Sequence, residues 1–231
     1  MFEMIAFDAD DTLWYNEHLY VLNRDNFIEL IRPFTTHENI GEILDQTEIN
    51  NLRYYGYGIK SFILSMVETA VSLTKGQISG DAVQAILNFG KEMRDHPVKL
   101  YDGVLDVLTE LGQTYPLMII TKGDLFEQES KIARSGIAER FKYIEVVSEK
   151  DAASYVNLLK KYEINPQRFI MIGNSLKSDV LPIIEIGGTA VHLPATTTWA
   201  HEQVHATPEK DGYYEVSHIQ QFPELIKQLI A

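Results

Sequence analysis

Met4-Ile5-Ala6-Phe7-Asp8-Ala9-Asp10-Asp11-Thr12 opens the chain with four apolar residues followed at once by acids. The apolar run reads as a β-strand buried on both faces, and the acids stand just beyond its carboxyl end. Side chains alternate along a strand, but past its end the chain turns, so Asp8 and Asp10 can both face one crevice. Like charges held that close raise one another's pKa unless a cation lies between them. That geometry suits a magnesium ion and phosphoryl chemistry, in which one acid attacks and the other moves a proton. Alone, the pair reads as readily as two turn acids capping the next helix, so the rest of the chain has to decide.

Working outward, further β-rich runs occur at 117–121, 143–147, 169–172, 189–193 and 213–216. From residue 100 onward they alternate with helical periodicity at 104–113, 125–135, 152–162, 179–186 and 222–230. Alternation of this kind predicts an α/β fold: a Rossmann-like parallel sheet with helices on both faces. Residues 17–96 break the pattern and read as helices only, at 19–30, 38–54, 59–73 and 82–93. Phe62, Ile63, Met66, Val67 and Ala70 form an apolar stripe at helical spacing. Thr35-Thr36-His37-Glu38 and Ser79-Gly80-Asp81 read as helix starts. The expected organisation is a catalytic core of residues 1–16 and 97–231 with a small all-helical cap domain, 17–96, inserted after the first strand.

In an open parallel sheet, ligands bind beyond the carboxyl ends of the strands where strand order reverses. Four consecutive strand ends here carry groups fit for phosphate or metal: Asp8 and Asp10, Thr121-Lys122-Gly123, Lys150, and Gly173-Asn174-Ser175-Leu176-Lys177-Ser178-Asp179. Asp8 is the candidate nucleophile, and Asp10 the acid that protonates the leaving oxygen and then deprotonates water. Thr121 and the amides of Lys122 and Gly123 stand where a helix begins, a natural phosphate site. Lys150 is placed to neutralise phosphoryl oxygens and crowded carboxylates. Asn174 and Asp179, with Asp8, the carbonyl of Asp10 and waters, complete an octahedral Mg2+ site. Taken singly, each has a plainer reading, as a helix cap, a surface lysine or a helix-terminal acid; four in order do not.

These motifs, in this order, resemble the haloacid dehalogenase-like superfamily of hydrolases over nearly the whole chain. The resemblance implies a magnesium-dependent phosphatase working through an aspartyl-phosphate, with the helical cap closing over the substrate. Asp10 argues against the dehalogenase branch, in which no leaving group needs a proton. Relatives often carry an aspartate at the position of Asn174, whose amide oxygen can still bind magnesium. Two other readings stay open: a phosphoryl-transferring mutase on the same scaffold, and a non-enzymatic protein that binds a phosphorylated ligand.

The formal net charge of −13 argues against a nucleic-acid footprint. The absence of cysteine excludes disulfides and thiolate metal sites. With no basic leader at the start and no long apolar run, a cytoplasmic protein without a membrane partner is expected. Its partner is then a small phosphorylated metabolite, selected by the cap. Tyr54, Tyr55, Tyr57 and Lys60, between two cap helices, are the candidates for that selection; a helix–helix turn with buried tyrosines is the plainer alternative. His201-Glu202-Gln203-Val204-His205 matches a zinc-protease motif. Three threonines precede it and Pro208 closely follows, leaving too little helix for that chemistry.

Overall fold

The computed structural model describes residues 1–195 and 211–230. The zinc-protease-like motif at 201–205 lies outside them. The described residues form two compact units: residues 1–15, 98–122, 128–195 and 211–230, and residues 16–97 with 123–127.

The first unit is built on six parallel strands: β1 (Met4–Phe7), β2 (Leu117–Lys122), β3 (Tyr143–Val147), β4 (Phe169–Gly173), β5 (Thr189–His192) and β6 (Tyr213–Glu215). Their order across the sheet is β3-β2-β1-β4-β5-β6. The order reverses beside β1, which pairs with β2 on one side and β4 on the other. A crevice at that point is what parallel topology provides. The period of two along a strand sorts the three central strands onto the two faces. Ile5, Phe7, Leu117, Ile119, Ile170 and Ile172 enter one core, and Met4, Ala6, Met118, Ile120, Phe169 and Met171 the other. Every residue of β1 is buried, as its unbroken apolar run requires.

Helices cover both faces. On one lies α5 (Val104–Gly112), where Val104, Val107, Leu108 and Leu111 repeat at helical spacing and are all buried. The C-terminal helix, Phe222–Ile230, joins it through Phe222 and Ile226. Phe7 meets Phe222 edge-on at 5.8 Å and Phe141 at 6.0 Å, the favoured aromatic arrangement. The other face is covered by α7 (Ala152–Lys161) through Tyr155, Leu158 and Leu159. Asp151 starts α7 by accepting the Ser154 N–H at 2.7 Å. The helix expected over 179–186 is instead a π turn, Leu176–Val180, followed by the short α8, Leu181–Glu185. The widened turn re-aims the side chains it carries, a recurrent feature of functional sites.

The second unit is helical: α1 (Glu17–Ile31), α2 (Ile40–Tyr55), α3 (Ile59–Leu73) and α4 (Gly80–Asp95). Of the expected apolar stripe on α3, Phe62, Ile63, Met66 and Ala70 are buried and Val67 is partly so. Ser79 caps α4 by accepting the Ala82 N–H at 3.1 Å. The start expected within 35–38 falls later, at Ile40, where Asn39 precedes the helix without a side-chain cap. Residues 123–127 group with these helices: Glu127 accepts the Ile59 N–H at 2.8 Å, and Lys60 pairs with Asp124 at 2.7 Å.

On α1 and α2, Arg24 clamps Asp45 with two 2.7 Å bonds. Gly41 permits this, since a Cβ there would fall 2.5 Å from the guanidinium. Glu48 has no such clamp among the described residues. Burial first, then the Asp45 charge, push its carboxyl from 4.5 to about 8, against the weaker pull of Arg24. A folded-state value above the unfolded one makes ionisation oppose folding, so Glu48 takes away stability as pH rises from about 4.5 to about 8. Glu48→Gln is therefore expected to raise the apparent Tm at pH 8 by at least roughly 2–4 °C, the shift that ~1 kcal/mol produces at this size. At pH 4 it should leave Tm unchanged. Calorimetry at the two pH values checks this, and an equal shift at both would refute it.

Candidate active site

At the end of β1 the strand ladder carries one step further, the Asp8 N–H bonding to the Ile172 carbonyl at 2.9 Å. The chain then winds tightly around the Ala9 carbonyl, which takes the N–H of Leu13 at 2.8 Å and of Thr12 at 3.3 Å. Asp11 takes the left-handed conformation (φ 58°) that closes this turn. Aspartate enters that region more readily than most residues. The winding makes the 8/10 spacing useful, because it frees both carboxylates from strand alternation.

Asp8 is 7 % exposed and Lys150 5 %. The Lys150 ammonium lies 2.5 Å from Asp8 Oδ1 and 2.7 Å from Asp179 Oδ1. Thr12, fully buried, donates its hydroxyl to Asp8 Oδ2 at 2.9 Å and accepts the Asn174 N–H at 3.1 Å. Burial is the largest influence on Asp8 and raises its pKa to about 7; Lys150 opposes this and the Asp179 charge adds to it. For Lys150, burial acts to lower the pKa, but Asp179 and Asp8 outweigh it and hold the ammonium charged, far above its ordinary range.

The π turn after β4 sets Asp179. Its Oδ2 accepts the Ser175 N–H at 3.0 Å while its own N–H returns to the Ser175 carbonyl at 2.8 Å. A Cβ on Gly173 would sit 2.3 Å from that carboxylate. Only glycine lets Asp179 lie against the strand end. Ser178, in the same turn, accepts a bond from the Lys122 ammonium at 3.2 Å and gives its carbonyl to the Tyr155 hydroxyl at 3.1 Å. Behind Asn174, His192 reaches the Asn174 carbonyl at 3.2 Å and Glu215 at 3.1 Å.

Asp10 has a different set of partners. Trp14 Nε1 donates to Oδ1 at 2.7 Å and Gln128 Nε2 to Oδ2 at 2.9 Å. Lys131 contacts both oxygens, at 2.8 and 2.6 Å. Burial alone would raise the Asp10 pKa; the Lys131 charge and these hydrogen bonds outweigh it and hold the carboxyl below its usual value. Gln128 and Lys131 stand three apart on α6 (Leu125–Ser135), hence on one face. Sequence reasoning missed both. The signal was there, since Glu127, Gln128, Lys131 and Ile132 are buried at helical spacing, but three of the four are polar and read as a solvated face.

The structure thus brings together, within the first unit, Asp8, Asp10, Lys150, Asn174 and Asp179. Thr121, at the end of β2, is 1 % exposed. The Lys122 side chain is engaged with Ser178. Gly123, at φ 146°, begins the stretch that groups with the helical unit. In that unit Tyr54 and Tyr55 are well exposed, Tyr57 is partly buried and Lys60 is paired with Asp124. The alternative of a turn with buried tyrosines therefore does not describe Tyr54 and Tyr55.

A family model described as haloacid dehalogenase-like hydrolase matches residues 2–187. The N-acylneuraminate-9-phosphatase of Mus musculus is 28% identical over 238 residues, covering 97% of this chain and 94% of that protein. A solved haloacid dehalogenase-like family hydrolase from Xanthomonas campestris superposes with a TM-score of 0.88 at 36% identity, covering 99% of this chain and 91% of the other. The L-2-haloacid dehalogenase of Xanthobacter autotrophicus, solved with chloropropionic acid covalently bound, shares the fold at 13% identity. Its TM-score is 0.65, over 98% of this chain and 99% of that one.

Removing one member of a buried ion cluster leaves charge without compensation, at a cost of about 3–5 kcal/mol. Lys150→Met is expected to destabilise the protein by that order in urea unfolding. The double variant Lys150→Met, Asp179→Asn should recover part of the loss, because it buries one uncompensated carboxylate instead of two. No recovery would show that packing around the lysine stem, and not charge, sets the cost.

Proposed function

The chain belongs to the haloacid dehalogenase-like hydrolases, and we propose that it is a magnesium-dependent phosphohydrolase that cleaves a small organic phosphate monoester through an aspartyl-phosphate. The observation that carries this reading is the pair of carboxylates at one strand end, each held by a different lysine: buried Asp8 by Lys150, which it shares with Asp179, and partly buried Asp10 by Lys131. A single nucleophilic carboxylate suffices to displace halide, which leaves as a stable anion. An alkoxide leaving group needs a proton, and a second carboxyl group is what supplies one. The mouse relative, by its name a phosphatase, supports the same side of that choice.

In this reading Asp8 Oδ attacks phosphorus, and the ester P–O bond breaks with its electron pair on the alcohol oxygen. Asp10, having exchanged one of its donor contacts for a proton taken from solvent as the ester binds, delivers that proton to the alcohol oxygen. Water then attacks phosphorus and gives its proton to Asp10, and the P–O bond to Asp8 breaks, returning the pair to the carboxylate. Thr12 and Lys150 fix the Asp8 oxygens throughout, which favours a near-attack geometry. Thr121 and the amides after β2 are the proposed phosphate donors, and Lys150 offsets charge on the phosphoryl oxygens.

Charge balance supports the metal. Lys150 is one positive charge between two buried carboxylates, and Asp10 is already paired with Lys131, so the Asp8–Lys150–Asp179 cluster carries one uncompensated negative charge when both its acids are ionised. Among the described residues no group of three or more His, Cys, Asp or Glu side chains forms a metal cluster. Magnesium does not need one, since it keeps several waters. Asp8, the Asp10 carbonyl, Asn174 and Asp179 are the proposed oxygens. Asp179 already serves Lys150 and the Ser175 N–H, whereas among the described residues the Asn174 amide oxygen has one long contact, 3.4 Å from the Thr12 hydroxyl. That difference favours Asn174 as the direct ligand. Bound there, magnesium supplies charge neutralisation for the transferring phosphoryl group. The proposed cap role of the helical unit, with Tyr54, Tyr55, Tyr57 and Lys60 sensing the substrate, rests on the exposure of Tyr54 and Tyr55.

A panel of phosphate monoesters, assayed with magnesium and with a chelator, tests the proposal. Wild type should release phosphate only with the metal, and Asp8→Asn should fall to background. Turnover that survives in Asp8→Asn, or a panel on which the wild type is inert, would defeat it.

A further inference from the structure

Asp10 is held more completely than a general acid–base requires. A carboxylate offers about four lone-pair sites, and four donor contacts occupy them: Trp14 and Lys131 on Oδ1, Gln128 and Lys131 on Oδ2. Each donor comes from a rigid place. Trp14 is fully buried in the sheet core. Gln128 and Lys131 are 2 % and 7 % exposed, on one face of α6. The Gln128 amide cannot be turned over, because its Nε2 also donates to the Lys122 carbonyl at 3.2 Å, and a flip would set oxygen against two acceptors. Its own Oε1 is buried and, among the described residues, has no hydrogen-bond partner. A buried amide kept with half its capacity unmet is a cost that fold stability alone does not explain.

We propose that Lys131, together with Gln128, is the positioning residue for Asp10: it fixes the plane and reach of this carboxyl group for proton exchange with the leaving oxygen. This inference rests on the phosphatase reading and extends it to residues outside the four strand-end motifs. To meet a substrate oxygen, Asp10 must release one of its four contacts. Lys131 is the partner suited to that, since it touches both oxygens and can give up one bond while keeping the other. Gln128 and Trp14 then prevent the ring of contacts from collapsing onto the lysine.

Leaving-group dependence separates positioning from a merely structural role. A primary-alkyl phosphate needs the proton from Asp10, whereas 4-nitrophenyl phosphate releases a stable phenolate without it. The constant kcat/KM covers only the steps up to release of the alcohol or phenol. Lys131→Met is expected to lower kcat/KM for the alkyl ester by about 10²-fold, the lower end of what general acid catalysis contributes, and to change that for 4-nitrophenyl phosphate by less than about threefold. Gln128→Met, which removes no charge, should show the same split at smaller size, and serves where Lys131→Met fails to fold. An equal loss on both esters, or no loss on either, overturns the inference. A crystal structure of the variant gives a second reading: Asp10 must have rotated from its place between Trp14 and Gln128, and an unmoved Asp10 also overturns it. If the wild type hydrolyses neither ester, the phosphatase reading is what fails, and the crystallographic comparison still decides whether Lys131 sets Asp10.

Discussion

One buried ammonium group organises the functional end of the sheet. Lys150 reaches Asp8 at the end of β1 and Asp179 in the π turn after β4, and so ties together two neighbouring strands and the loop that enters the crevice after β3. Isolated charges of this kind are costly in a protein interior, and each is tolerable only because the others are present. The consequences spread outward. Gly173 has no side chain because Asp179 lies against it, and the turn at 176–180 is wider than an α-helix because its acid must point back toward the sheet. Thr12 is buried because it holds the far oxygen of Asp8 and the backbone of Asn174 at once.

A second, separate cluster governs Asp10. The two acids stand two residues apart, yet their charge environments oppose each other. Asp8 is pushed up by burial and shares its lysine, whereas Asp10 is held down by a lysine of its own. Neighbouring carboxylates given different environments titrate apart, so the two acids of this strand end are not interchangeable. The likeness to both a phosphatase and a dehalogenase shows why this matters. A shared fold does not choose between such chemistries, so the choice has to be argued from the residues of the site.

The local pattern was enough for the architecture. Period-two burial in apolar runs, helical spacing in α5, and serine before α4 are short-range effects, and they placed all six strands and most helices close to their observed limits. It fell short at the start of α2, which falls at Ile40, and where a long-range demand overrides local preference, as at 179–186, where the expected helix is displaced by the turn that aims Asp179.

By itself, the sequence determined the parallel sheet and the acids, threonine and lysine at its strand ends, because strand ends follow from where apolar runs stop. Which lysine serves which acid was decided only by tertiary structure. Lys131 lies 121 positions from Asp10 along the chain and looks like part of a charged helix face. Only the close approach of α6 to the end of β1 excludes water and turns that charge into a partner, an outcome of packing that no local spacing encodes.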